Sequence, residues 1–167
     1  MCVRVQTTSP QETLALGRVI GARLPQGTVV GLDGPLGAGK TWMAKGLVQG
    51  IGTFDPTLVK SPAYNLIHEY QVDSLTCTVY HIDFYRLDRL SLPDRLLFSE
   101  VLDRPDAICL IEWAGKFLGD LVPAYLSITV SKTERPDARV IHVRAAGDSP
   151  TYESLLRDLH HDVLAPY

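Results

Sequence analysis

A lysine and a hydroxyl residue closing a glycine-rich octet make a phosphate-binding arrangement, and Gly34 to Thr41, GPLGAGKT, matches G-x-x-x-x-G-K-[ST] at every position. Gly34, Gly37 and Gly39 admit backbone angles and close approaches that a Cβ would forbid, so successive N–H groups can converge on a nucleotide's β-phosphate. Lys40 reaches the β- and γ-phosphates, and Thr41 offers its hydroxyl to Mg²⁺. The predicted nucleotide contacts are therefore Pro35, Leu36, Gly37, Ala38, Gly39, Lys40, Thr41 and Trp42. At average residue frequencies such an octet arises by chance in about one chain of this length in two hundred, which makes accident the poorer explanation.

A phosphate loop binds without hydrolysing, so a carboxylate must serve the metal and its water. Two acids end apolar strands. Glu112 follows Ala107 to Ile111, AICLI, and the carboxyl end of such a strand faces the nucleotide crevice of a doubly wound sheet. Asp83 follows TVYHI and can orient the attacking water or one bound to metal. Lys40, Asp83 and Glu112 are the predicted catalytic residues, with Thr41 and Glu112 as metal ligands. Three neighbours stay open: His81 either packs in the strand or joins the chemistry, Arg86 touches phosphate or pairs with Asp83 or Asp88, and Trp113 covers the site or fills core.

The elements that must position these residues can be read in order. Thr28 to Leu32, TVVGL, is a buried strand entering the loop, and Lys40 to Gln49 is a helix leaving it, with Met43 and Leu47 on one face. Upstream, Cys2 to Gln6 is a short strand. Ser9 then caps a helix, with Pro10 at its first position, Glu12 closing a capping box, and Leu16, Val19, Ile20 and Leu24 turned inward. Downstream, Gly50 and Gly52 stop the helix, and residues 53–62 form a connector. Tyr64 to Tyr70 and Thr76 to Asp83 pair as a hairpin across a turn at 72–75. A helix capped by Ser91 runs to Leu102, two alternating strands occupy Tyr125 to Ser131 and Ala138 to Ala145, and a last helix starts near Ser149-Pro150.

With 167 residues, 46% of them apolar, the chain is expected to form one domain, residues 1–167, with one buried core. A net charge of -3 without a basic run argues against a direct grip on nucleic acid. Cys2, Cys77 and Cys109 lack C-x-x-C spacing, no apolar stretch approaches the ~18 residues of a membrane span, and a cytoplasmic location is expected. The expected fold is α/β: a three-layer P-loop NTPase fold with a mixed, partly parallel central sheet.

Four segments, GPLGAGKT, VKSPAYNLIHEY, VYHIDFYRL and ICLIEWAG, stand in that order, and with them the chain resembles the TsaE (YjeE) family. The family comprises small P-loop ATPases required in bacteria to make threonylcarbamoyladenosine beside the tRNA anticodon. The resemblance implies ATP as nucleotide, Mg²⁺ as its metal, TsaD and TsaB as partner proteins, and tRNA reached only through that complex. It implies Lys40 and Thr41 on phosphates and metal, Glu112 on the metal, Asp83 in hydrolysis, and a nucleotide-sensing switch around Ser61. This chain departs from the family pattern at three places. Pro35 stands where the loop has an acid, and Ala63 stands where the switch has a threonine. The helix ending at Leu102 carries Arg95 and Leu97 in place of an acidic run. Two other readings of the phosphate loop are a small phosphotransferase and a nucleotide-dependent binding module with little turnover.

Overall fold

The computed structural model describes residues 1–52, 59–60, 62, 66–72 and 77–164, the last three through their backbone. Ser61 and Ala63 of the expected switch, the start of the strand read from Tyr64, most of the 53–62 connector and most of the 72–75 turn lie outside these residues.

Among the described residues seven strands form one sheet: β1 (Cys2–Thr7), β2 (Val29–Asp33), β3 (Ile67–Gln71), β4 (Thr78–Asp83), β5 (Ala107–Glu112), β6 (Tyr125–Lys132) and β7 (Arg139–Ala146), in the order β1-β7-β6-β2-β5-β4-β3. β2 runs parallel to β5 and β6, and β4 parallel to β5, whereas β1–β7, β6–β7 and β3–β4 are antiparallel. The sheet is mixed, with its parallel part at the centre, and the hairpin expected from 64–70 and 76–83 is the β3–β4 pair.

The helices are α1 (Pro10–Gly21), α2 (Lys40–Ile51), α3 (Leu92–Leu102), α4 (Leu118–Leu121) and α5 (Pro150–Leu164), with a 3₁₀ turn at Ala114–Lys116. Alternation along the central strands sends side chains to two cores. Val30 and Leu32 of β2 and Ile108 and Leu110 of β5 join Met43 and Leu47 of α2 and Leu16 and Ile20 of α1 on one face, with Leu156 and Leu159 of α5. Ile82, Phe84, Cys109 and Ile111 meet Phe98 of α3 and Leu118 of α4 on the other. Met43 and Leu47 are fully buried, each contributing roughly 1.5–3 kcal/mol, enough to hold the helix leaving the phosphate loop against the sheet.

Local chemistry departs from expectation at three points. Ser9 caps α1 by accepting the Glu12 N–H, but the Glu12 carboxylate reaches Thr8 N–H and hydroxyl, at 2.7 Å each, rather than closing the box on Ser9. The reciprocal box belongs to α3, between Ser91 and Asp94. Gly50 does not stop α2, which runs on to Ile51 with Gly52 as its left-handed cap. Gly50 is instead a contact glycine: a Cβ there would stand 2.2 Å from Arg18 O of α1, and Gly46 faces Leu14 O at the same 2.2 Å. α1 and α2 therefore touch backbone to backbone. α4 and the 3₁₀ turn fall in the segment read as a loop around Trp113 and Gly115, since four-residue helices leave no periodic signal. On α3, Leu92, Leu96 and Leu97 are exposed, while Phe98 and Leu102 hold the helix to the sheet.

Candidate active site

Topology gathers the acids. Asp33, Asp83 and Glu112 are the last residues of β2, β4 and β5, three neighbouring parallel strands, and the register pairs Asp83 with Glu112. All their carboxyl ends point to the edge where the loop from β2 enters α2, the expected crevice of such a sheet.

Gly34 adopts φ 139°, and a Cβ on it would lie 2.2 Å from Val130 O, so only glycine fits where the loop leaves β2 beside β6. Gly39, at φ 106°, occupies the N-cap of α2 without any side-chain cap, whereas α1 and α3 are capped by serines. The uncapped first turn of α2 presents its amides and positive dipole end to an anion.

Lys40 is buried, and its Nζ donates to Gly34 O at 2.8 Å and Pro35 O at 3.1 Å while standing 4.0 Å above the Trp113 ring centroid. Burial pushes its pKa below the ordinary lysine range; the carboxylates of Glu112, Asp83 and Asp33 oppose that shift and the Lys132 ammonium reinforces it. Thr41, the next residue, donates its hydroxyl to Glu112 at 3.3 Å from Oε1 and 3.5 Å from Oε2. Glu112 is only 3% exposed and also accepts from His81 Nε2 at 3.1 Å. Asp83, 2% exposed, accepts the Tyr85 N–H at 2.8 Å.

These groups border a cleft of about 450 Å³ whose lining includes Leu36, Gly37, Gly39, Lys40, Thr41 and Trp42 from the loop and helix, with Asp83, Glu112 and Trp113 opposite. Pro35 and Ala38 do not line it. Pro35 contributes its carbonyl to Lys40 and to the Ala38 N–H, so its missing N–H leaves no gap in the loop, and Ala38 is fully buried. Trp113 both covers the site and packs against the second core: it is half-buried, lies beneath the Lys40 ammonium, and meets the Tyr85 ring at a tilt of 38° with centroids 5.0 Å apart. Its backbone is left-handed, φ 59°, which turns the chain sharply after Glu112 at a strain cost of order 1 kcal/mol. Arg86 is exposed and is not part of the cleft lining.

Three residues that the sequence reading passed over hold the site in shape. Asp33 accepts the Gly115 N–H with both oxygens, at 2.9 and 3.1 Å, pinning the turn that carries Trp113. Lys116 Nζ donates to the carbonyls of Phe84 (3.2 Å), Tyr85 (2.7 Å) and Leu87 (3.0 Å), tying the segment after Asp83 to the segment after Glu112. Arg139 of β7 donates its Nε to Ala38 O at 2.6 Å, bracing the phosphate loop from the side. Asp33 carried the same signal as the other two acids, an apolar strand ending in a carboxylate. Lys116 and Arg139 carried none, because their partners are backbone carbonyls far away in sequence.

Known proteins match this chain over most of its length. The family described as "Threonylcarbamoyl adenosine biosynthesis protein TsaE" matches residues 7–141. The chain is 35% identical over 158 residues to the tRNA threonylcarbamoyladenosine biosynthesis protein TsaE of Bacillus subtilis, covering 94% of both chains. It is 40% identical over 119 residues to that of Haemophilus influenzae, covering 70% of each. The crystal structure of Bacillus subtilis YdiB superposes with a TM-score of 0.77 at 30% identity, over 96% of this chain and 95% of that one. With a phosphate loop on the central strand, acids at the ends of its neighbours, and matches over most of its length, the chain belongs to the TsaE family, the P-loop ATPases of tRNA threonylcarbamoyladenosine biosynthesis.

Proposed function

We propose that this chain, as one domain, binds ATP with Mg²⁺ in the cleft and hydrolyses it. Lys40 and the loop amides hold the phosphates, Thr41 and Glu112 hold the metal, and Asp83 orients the attacking water. The observation that carries this reading is the Thr41 hydroxyl set on the Glu112 carboxylate at 3.3 Å, from positions 71 residues apart, at the uncapped start of α2. Mg²⁺ takes few protein oxygens and keeps waters and phosphate oxygens for the rest, so one hydroxyl and one carboxylate suit it. Among the described residues no group of three or more His, Cys, Asp or Glu forms a closed metal cage. When bound, the ion neutralises charge on the phosphates. Lys40 exchanges the Gly34 and Pro35 carbonyls for phosphate oxygens, and Asp83, held by the Tyr85 N–H beside Glu112, accepts from the water.

Turnover by the chain alone is slow. Arg139 is the arginine among the described residues lining the cleft, and it commits its Nε to Ala38 O and its Nη1 to Pro136 and Ala138 O, which leaves at most its Nη2 to meet a phosphate. TsaD and TsaB are the partners that raise the rate, tRNA is reached through them, and the cytoplasm is the compartment. Among the described residues no helix is long and apolar enough to cross a membrane. The test is phosphate release from ATP, with and without Mg²⁺, by the chain alone and with TsaD and TsaB. Mg²⁺-dependent release that rises with the partners is expected. Transfer to an acceptor instead of release, or binding without release even with both partners, would reject it.

A further inference from the structure

His81 lies on β4 two residues before Asp83, on the same strand face, which continues back through Val79 into the core shared with α1 and α2. Its side chain is 0% exposed, and a buried polar ring is costly there unless it is hydrogen-bonded. One nitrogen is satisfied: Nε2 stands 3.1 Å from Glu112 Oε1, whereas Nδ1 has no partner among the described residues. A carboxylate offers lone pairs only, so the bond requires the N–H on Nε2, and an N–H on Nδ1 would go unmet. A leucine would fill this apolar layer without an orphan nitrogen, so the imidazole is explained by what it does to Glu112.

The Thr41 hydroxyl, at 3.3 and 3.5 Å from the two carboxylate oxygens, straddles them and does not choose between rotations of the group. The His81 contact does choose. We propose that His81 is a positioning residue: its Nε2–H holds Glu112 Oε1 so that the carboxylate faces the Thr41 hydroxyl and the Mg²⁺ these two residues share. This rests on the metal reading above. Hydrogen bonds from such an outer partner orient a ligand, and their loss typically weakens metal affinity about 10- to 100-fold.

The test is calorimetric titration of ATP in Mg²⁺ and in EDTA for the wild type, His81→Gln, His81→Asn, His81→Phe and Glu112→Gln, with thermal unfolding of each. Glutamine carries its amide N–H at the reach of Nε2, and asparagine at that of Nδ1. His81→Gln is expected to keep the Mg²⁺-dependent gain in affinity, while His81→Asn and His81→Phe lose about 10- to 100-fold of it with EDTA affinity unchanged. In turnover, the Mg²⁺ needed for half-maximal rate rises while the rate at saturating Mg²⁺ is largely restored. A packing defect would instead move EDTA affinity and unfolding temperature, and would not distinguish Gln from Asn. Should His81→Phe fail to fold, the Gln and Asn pair decides. A wild-type Mg²⁺ gain in His81→Asn, while Glu112→Gln loses it, overturns the role of His81 alone. Retention of the gain in Glu112→Gln as well overturns the metal reading and this role together.

Discussion

Asp83 and Glu112 face each other as the last register pair of the parallel β4–β5 ladder, and the ladder is prolonged by Phe84 N–H donating to Glu112 O at 3.1 Å. Two buried carboxylates side by side, each 3% exposed or less, need cationic company, and the nearby Lys40 ammonium supplies it in the free chain. Bound nucleotide and metal would change that balance.

Lys40→Ala removes the ammonium proposed to face two phosphates. Charged hydrogen bonds contribute about 1.5–3 kcal/mol each, so ATP affinity should fall on the order of 100-fold by calorimetry. Thr41→Ala should spare Mg²⁺-free affinity and weaken binding in Mg²⁺; equal losses in both conditions would remove Thr41 from the metal.

Glu112→Gln preserves shape while removing the charge that Thr41 and His81 address. The variant should fold, bind ATP, and lose phosphate release on the order of 100-fold. Near-normal release would return Glu112 to a purely structural place.

Lys40 should make binding proton-linked. Its pKa in the free chain is lowered by burial, and phosphate anions favour its charged form, so the bound chain holds the proton more tightly. Affinity is then fully present below the free-chain pKa. Above it, affinity falls by roughly tenfold per pH unit until the bound-state pKa is reached. Titrations at alkaline pH in two buffers of different ionisation enthalpy should show proton uptake on binding; proton release would contradict the assigned contacts.

Gly50→Ala and Gly119→Ala should have opposite signs. Both remove a helical glycine, a gain of about 1 kcal/mol or less. At Gly50 the new Cβ would meet Arg18 O at 2.2 Å and Ala22 N at 2.7 Å, backbone atoms that cannot step aside, so a net loss of about 1–3 kcal/mol is expected. At Gly119 a new Cβ would meet no atom of the described residues within 4 Å beyond its own helix backbone and chain neighbours, and the unfolding temperature should hold or rise.

Lys116→Met keeps an unbranched apolar stem, one atom shorter, but removes three hydrogen bonds to the carbonyls that follow Asp83. Phosphate release should fall several-fold more than ATP affinity, since the phosphate loop is untouched. An equal fall in both would mean that the clamp serves the cleft as a whole.

The amino-acid sequence by itself determined the phosphate loop, the buried strand entering it, the helix leaving it, and the two acids Asp83 and Glu112. These are local signals: a glycine pattern dictated by backbone angles, apolar periodicity, and carboxylates at strand ends. Tertiary structure alone decided which distant residues meet. Gly50 reads as a stop because a glycine weakens any isolated helix, yet it serves as the backbone contact between α1 and α2, a relation that exists only once both helices pack. Lys116 and Arg139 act on carbonyls, which every residue carries, so neither partner stands out in the sequence. His81 reads as any strand histidine until parallel pairing sets β4 beside β5 and leaves its Nε2 3.1 Å from Glu112. Register, not residue type, turns that histidine toward the site, and register is set by the whole sheet.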